Sequence, residues 1–245
     1  MNTTIVVIMS TPNFRFKQFT IQHDKCAMKV GTDGVLLGAW AQPNYVPSGH
    51  LPCTILDVGT GSGLIARMLM QRFPNATVEG IDIDPMAVEQ AQENGVTAFQ
   101  SDLQHWQTEN KGYDLIVSNP PYFQNSLKNP DFSRQTARHT DTLSYSDLMF
   151  HCARLLAPEG ELALILPVEA ETEIQNLAQQ NGLLLVRLTR VLSKESKPAR
   201  RLLLAFVKSE TTGSRLPIIE DTLVLEDEHG GRSADYQKLT KDFYL

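Results

Sequence analysis

From residue 54 onward short apolar runs alternate with amphipathic stretches. At the first passage from one to the other stands Asp57-Val58-Gly59-Thr60-Gly61-Ser62-Gly63. An apolar run that passes without a linker into glycines at every second position is a strand turning at once into a helix, because glycine enters the left-handed backbone region at no steric cost. The alternation continues to the far end of the chain. Strands are expected over 54–58, 77–81, 96–100, 113–117, 162–166, 183–192 and 201–208, with helices over 62–73, 85–93, 145–156 and 169–180. Asp84 is placed to cap the second of these helices, with Pro85 at its first position, and Asn181-Gly182 to end the last. Such alternation predicts an α/β fold, a seven-stranded mostly parallel sheet with helices on both faces.

The first 51 residues do not follow this rhythm. Residues 14–21 and 26–30 read as two strands around a turn at His23-Asp24-Lys25, and 35–40 as a short helix opened by Gly31-Thr32-Asp33-Gly34. Pro43, Pro47, Ser48, Gly49 and Pro52 then make a connector. The expected division is therefore 1–51, an N-terminal extension, small hairpin and helix packing on the main domain, and 52–245, the main domain itself.

Of the 245 residues 42% are hydrophobic and 20% charged, enough for a full core, yet no run approaches the roughly 18 apolar residues of a membrane helix. The early apolar run from Ile5 to Met9 lacks a basic flank and a small-residue cleavage site. A cytoplasmic protein with no membrane partner is expected. Cys26, Cys53 and Cys152 are odd in number and far apart, which suggests neither a disulfide framework nor a zinc site, and they read as buried small hydrophobes. The balance of 22 Lys+Arg against 28 Asp+Glu, hence −6, argues against a surface that coats nucleic acid non-specifically. A local basic face survives that argument. Arg187, Arg190, Lys194, Lys197, Arg200, Arg201 and Lys208 are interrupted by one acid, Glu195, while Glu220, Asp221, Glu226, Asp227 and Glu228 follow just downstream.

The candidate site gathers where strands end. Gly59, Gly61 and Gly63 let backbone approach a ligand, and their spacing differs from the Gly-x-Gly-x-x-Gly that seats a pyrophosphate. Asp57 before the turn suits an ammonium group better than a phosphate. Asp82, ending the second strand, can accept two hydrogen bonds from a ribose diol, and Ile83 offers an apolar face to an adenine. Ser101-Asp102 follows the third strand, where an acid can accept from the adenine amino group. Asn119-Pro120-Pro121-Tyr122 follows the fourth. Two prolines keep the carbonyls there out of sheet pairing, so that the Asn119 side-chain oxygen and the Pro120 carbonyl can both accept from a planar NH2. Tyr122 or Phe123 can stack on the attached ring. The polar stretch 124–141, longer than an idle loop, is plausible as a substrate-contacting loop and equally as a surface insertion.

These motifs, in this order, resemble those of class I S-adenosylmethionine-dependent methyltransferases that act on amino nitrogens. More narrowly, Phe14 to Phe19, Lys29 to Trp40, Asn119 to Phe123 and the ending Thr240 to Leu245 resemble the bacterial tRNA1(Val) (adenine-37-N6)-methyltransferases. The likeness begins at about Phe14. The residues before about Met9 depart from the family's usual start and are expected to be an extension or the product of an early start codon. The resemblance implies a Rossmann-like sheet with the last strand antiparallel, S-adenosylmethionine across the glycine turn, and methyl transfer to N6 of adenine 37 in the tRNA anticodon loop. Residue by residue, it implies Gly59, Gly61 and Gly63 beside the methionine and ribose, Asp82 on the ribose hydroxyls, and Ile83 and Asp102 on the adenine. Asn119 to Tyr122 would hold the target base, with Thr32 and Asp33 closing over the cofactor.

Adenine N6 is a poor nucleophile and the sulfonium methyl is already activated, so catalysis is expected to rest on alignment and local electrostatics, with no metal and no dedicated base. His139 is the nearest histidine in sequence, and a solvated loop residue is its plainer reading. Arg134, Arg138, Lys194, Lys197 and Arg200 are candidate phosphate contacts, and a monomer is the expected working unit. Open alternatives are a protein-glutamine N5-methyltransferase, whose amide NH2 presents the same donors, and a DNA adenine-N6 methyltransferase. A nicotinamide-dependent oxidoreductase is a remote one that leaves Asn119 to Tyr122 without a task.

Overall fold

The computed structural model describes residues 13–26, 28–43, 53–108, 112–121, 143–209 and 217–245. Its main sheet uses β3 (Thr54–Val58), β4 (Thr77–Asp82), β5 (Thr97–Gln100), β6 (Tyr113–Ser118), β7 (Leu156–Pro167), β8 (Leu183–Leu192), β9 (Ala199–Lys208) and β10 (Ile219–Val224). The eight strands lie in the order β10-β8-β9-β7-β6-β3-β4-β5. All neighbours pair in parallel except β9, which runs antiparallel to both β7 and β8. Strand order reverses between β3 and β6. In a parallel sheet that reversal opens a crevice beyond the carboxyl ends, because the two neighbouring crossovers leave toward opposite faces.

Helices α1 (Thr32–Trp40), α2 (Leu64–Arg72) and α3 (Pro85–Glu93) pack on one face, where Leu36, Leu37, Ile65, Leu69, Val88 and Ala91 meet Ile55, Leu115 and Ile165 of the sheet. Helices α4 (Tyr145–Leu155) and α5 (Glu171–Gln180) cover the other, with Leu148, Met149, Cys152 and Ile174 against Ile116, Leu162 and Leu204. Each fully buried leucine or isoleucine here contributes roughly 1.5–3 kcal/mol of transfer energy. The helix starts follow local chemistry. Asp84 accepts from the Met86 amide at 2.9 Å ahead of Pro85, and Ser144 accepts from the Asp147 amide at 3.0 Å. All three cysteines are buried and free, as expected.

The N-terminal hairpin differs from the expected one. β1 (Asn13–Arg15) and β2 (Thr20–Gln22) pair antiparallel inside the stretch read as one strand, and the described residues of 26–30 form none. The reason is packing. Phe16 and Phe19, at the turn, both point inward to a third core with Ile21, Val35, Met68 and Phe243, so the alternation is broken by the turn rather than after it. The Lys17 amide donates to the Phe243 carbonyl at 2.8 Å, fixing the hairpin to the chain's end.

Two elements lie beyond the expected seven strands. β10 is an eighth strand, parallel to β8 on the sheet edge, so the antiparallel strand β9 is not the last in sequence. Its exposed Glu220 and Asp221 hide the strand pattern, and only Leu223 is buried. Helix α6 (Ala234–Thr240), capped by Ser233, follows it. Two further bounds shift. α2 begins at Leu64 rather than residue 62 because Gly61 and Gly63 hold positive φ, and β7 reaches back to Leu156 through a register shift opposite Tyr113 and Leu115.

Candidate functional site

Register assembles the site. Val58 lies opposite Ile81 on one side and Ser118 on the other, and Asp82 lies opposite Gln100. Gly59, Asp82, Asn119 and Ser101 therefore emerge along one sheet edge from four adjacent strands, each about 4.8 Å from the next. The strand ends are tied together. Gly59 and Thr60 amides donate to the Ile81 carbonyl at 2.9 and 3.0 Å, Ser101 N donates to Asp82 O at 3.0 Å, and Ser118 Oγ donates to Val58 O at 2.9 Å.

All three glycines of the turn have positive φ, at 72°, 55° and 77°. Their surroundings differ. A Cβ at Gly59 or Gly61 would meet no atom within 4 Å, so backbone there faces open space, whereas at Gly63 it would lie 2.8 Å from Val96 Cγ2 and 3.3 Å from Ala91. Gly63 serves helix packing. Asp57 braces the turn from beneath and is wholly buried. Its Oδ2 accepts from Thr60 Oγ1 at 2.8 Å and from the Ala66 amide at 3.2 Å, while Oδ1 has no hydrogen-bond partner among the described residues. Burial pushes its carboxyl up to about 7. Gly80 escaped the sequence reading: a Cβ there would lie 2.7 Å from Thr60 Oγ1, so Thr60 reaches Asp57 only because residue 80 has no side chain.

Asp82 is half-buried, and burial raises its pKa. Oδ2 accepts from the Gly61 amide at 2.9 Å and Oδ1 from the Asp84 amide at 3.0 Å, with the Ile83 amide also directed at a carboxylate that offers about four lone-pair positions. Ile83 is 49% exposed beside it. Asp102 is turned toward His105, whose amide and ring Nδ1 each lie 2.8 Å from Oδ1, and these hydrogen bonds lower its pKa. Ser101 Oγ donates to its neighbour's carbonyl at 2.9 Å. Asn119 is half-buried, Pro120 buried and Pro121 exposed.

Thr32 and Asp33 form the first turn of α1, which packs on the start of α2; a Cβ at Gly34 would lie 3.0 Å from Leu64 Cδ2. Asp33 Oδ2 accepts from Arg201 Nε at 2.8 Å, a pairing the sequence did not suggest. Lys194 and Lys197 lie in the β8–β9 connection and Arg200 at the start of β9, on the same sheet edge and two to three strands from Asn119. Lys194 Nζ is 3.4 Å from Glu226, while Lys197 and Arg200 are exposed. Tyr122, Phe123, Arg134, Arg138, His139, the stretch 124–141 and the extension before Met9 lie outside the described residues.

Among the described residues no group of three or more His, Cys, Asp or Glu is set to hold a metal ion, and no helix is long and apolar enough to cross a membrane. A family model described as a methyltransferase domain matches residues 55–160. The crystal structure of a predicted O-methyltransferase from Agrobacterium tumefaciens superposes with a TM-score of 0.62 at 17% identity, covering 86% of this chain and 96% of that one, a likeness of fold. The tRNA1(Val) (adenine(37)-N6)-methyltransferase of Parabacteroides distasonis is 46% identical, with 97% of this chain and 99% of that one covered. The protein of the same name from Bacteroides fragilis is 43% identical over the same shares. With glycine turn, carboxylate and Asn-Pro-Pro aligned along one edge of a class I methyltransferase sheet, the chain belongs to the tRNA1(Val) (adenine(37)-N6)-methyltransferase family.

Proposed function

We propose that this protein transfers the methyl group of S-adenosylmethionine to N6 of adenine 37 in the anticodon loop of tRNA1(Val). The observation that carries the reading is Asn119-Pro120 at the end of β6, in register with the open glycine turn at the end of β3. The residues present suit this cofactor. Gly59 and Gly61 leave room for its methionine and ribose, Asp82 keeps lone pairs for the ribose hydroxyls, and exposed Ile83 offers a face to the adenine ring. Ser101 and Asp102 border the adenine, where the Asp102 carboxylate, 44% exposed beside the His105 ring, accepts from the adenine amino group. Thr32 and Asp33 cover the methionine end, and Asp57 with Thr60 and Gly63 holds the turn in shape.

The cofactor supplies an activated sulfonium methyl. The protein's part is alignment. Asn119 Oδ1 and the Pro120 carbonyl accept hydrogen bonds from the two N6–H groups, which favours a pyramidal nitrogen with its lone pair aimed at the methyl. Pro121 fixes the backbone, and Tyr122 or Phe123 stacks on the base. The nitrogen loses its proton after transfer, once it is cationic and acidic. Loop bases are unpaired, so splaying one out costs less than in a duplex. Arg134, Arg138, Lys194, Lys197 and Arg200 carry phosphates. The protein works as a cytoplasmic monomer, with residues 1–51 as a cap on the methyltransferase domain 52–245.

Labelled methyl transfer tests this directly. Unmodified tRNA, duplex DNA and a release-factor protein are offered separately, followed by nucleoside mass spectrometry. Label in N6-methyladenosine of tRNA alone is the expected result. Label in protein alone would move the substrate to a glutamine amide and overturn the RNA reading.

A further inference from the structure

We infer that Asn94 is a positioning residue for the cofactor, tying the glycine turn and the N-terminal hairpin together through one buried amide. This rests on the reading of the glycine turn as the cofactor's seat. Asn94 ends α3, far in sequence from both partners, and is 8% exposed. Its Oδ1 accepts from the Gln22 amide at 2.9 Å, and its Nδ2 donates to the Gln22 carbonyl at 2.7 Å and to the Ser62 carbonyl at 2.8 Å. The side chain thus acts on β2 as a neighbouring strand would, pairing both backbone groups of one residue, and spends its remaining donor on the turn. Among side chains of this length, only a carboxamide brings an acceptor and two donors together.

The bond to Ser62 matters for shape more than for holding the fold. Ser62 lies between Gly61 and Gly63, both at positive φ, and glycines resist backbone rotation least. When a buried carbonyl there loses its donor, the cheapest relief is for the peptide to swing toward another partner. That swing turns the Gly63 amide, which donates to the Thr60 carbonyl at 2.8 Å and closes the turn around Gly61, whose own amide donates to Asp82 Oδ2, and so disturbs the wall and the carboxylate together. One turn earlier, buried Gln90 supplies a natural comparison. Its Oε1 accepts from the Lys25 amide at 3.0 Å, and its Nε2 donates to Glu93 at 3.1 Å. Gln90 holds the same N-terminal segment and makes no bond to the turn.

The test measures S-adenosylhomocysteine binding by calorimetry on the full chain, and amide exchange at residues 60–63 without ligand. Asn94→Ala is expected to raise Kd tenfold or more and to speed exchange at Gly61 and Gly63, with Gln90→Leu within threefold of wild type in both. In turnover assays Asn94→Ala should raise KM for S-adenosylmethionine while kcat at saturation stays within threefold. If Asn94→Ala fails to fold, Asn94→Asp, which keeps the acceptor for the Gln22 amide and loses the donors to the Gln22 and Ser62 carbonyls, replaces it with the same expectations, Gln90→Leu still separating loss of hairpin attachment from loss of the bond to the turn. A Kd within threefold of wild type for the Asn94 variant overturns the proposal. Equal weakening by Gln90→Leu overturns it too, since attachment of the hairpin alone would then set affinity. Binding is read without a methyl acceptor, so a wrong tRNA assignment leaves this result intact, whereas a wild type that does not bind the ligand overturns the cofactor reading and this inference with it.

Discussion

At Gly59, Gly61 and Asp82 on the open sheet edge, backbone and carboxylate groups keep unused hydrogen-bonding capacity, whereas on β8 and β9 three arginines are spent on carboxylates of neighbouring elements. In the first region Gly59 and Gly61 face open space and Asp82 has lone pairs to spare. In the second, Arg187 pairs with Glu161 at 3.0 Å and lies 3.6 Å from the Trp40 ring centroid. Arg190 holds both oxygens of Glu171 at 2.8 and 2.7 Å, and Arg201 holds Asp33. A dense run of basic residues in sequence is thus mostly internal bracing here. What binds a ligand is decided by which groups folding leaves incompletely satisfied.

The largest expected effect falls on the open edge. Asn119→Ala should lower kcat by about 10²–10³-fold, the usual loss for one donor or acceptor aimed at a reacting group, with S-adenosylhomocysteine affinity within a few-fold. Asp82→Ala should do the reverse and weaken that affinity about tenfold or more. Turnover near wild type in Asn119→Ala would remove this edge from the chemistry and dissolve the contrast.

The braced region should answer in stability. Arg187→Ala leaves Glu161 buried without its partner and should cost about 3 kcal/mol in urea unfolding, while cofactor affinity holds. Affinity that fell in parallel would show that the two regions are not separable. A smaller effect follows pH. Burial pushes the Asp57 and Glu161 carboxyls up to about 7, above their ordinary 3.8 and 4.5. The folded state therefore favours their protonated forms. Their contribution is full below about pH 4 and is lost as pH rises through 7. Glu161→Gln should accordingly gain on wild type between pH 5 and pH 7.5; a pH-independent difference would place that carboxyl in ordinary water.

The smallest effect sharpens the comparison from the RNA side. Lys197 and Arg200 are the exposed members of the basic run. Replacing either with alanine should weaken tRNA binding about two- to fivefold and reduce the salt slope by about 1, whereas Arg190→Ala should leave the slope alone.

Much of the open edge was legible in sequence because its chemistry is local. A glycine at every second position, an aspartate ending a strand and Asn-Pro-Pro after another are each short motifs whose backbone demands are visible residue by residue. Asp84 as a cap and the bounds of α3 are of the same kind. The hairpin and β10 were not legible. Phe16 and Phe19 turn inward only because Phe243 and Met68 are there to meet them, and β10 buries one side chain only. Asn94 carried no signal at all, since an Asn-Gly at a helix end reads as a stop and nothing more.

The sequence by itself determined the strand and helix alternation, the positive-φ turn and the polar residues at strand ends, because periodicity and glycine stereochemistry act within a few residues. Tertiary structure alone decided which of those polar residues share an edge, which charges are consumed, and which carboxylates are buried enough to hold a proton near neutrality. Those outcomes depend on register and desolvation, which arise from chain segments tens to hundreds of residues apart, as when Arg201 reaches Asp33 and Asn94 reaches Gln22.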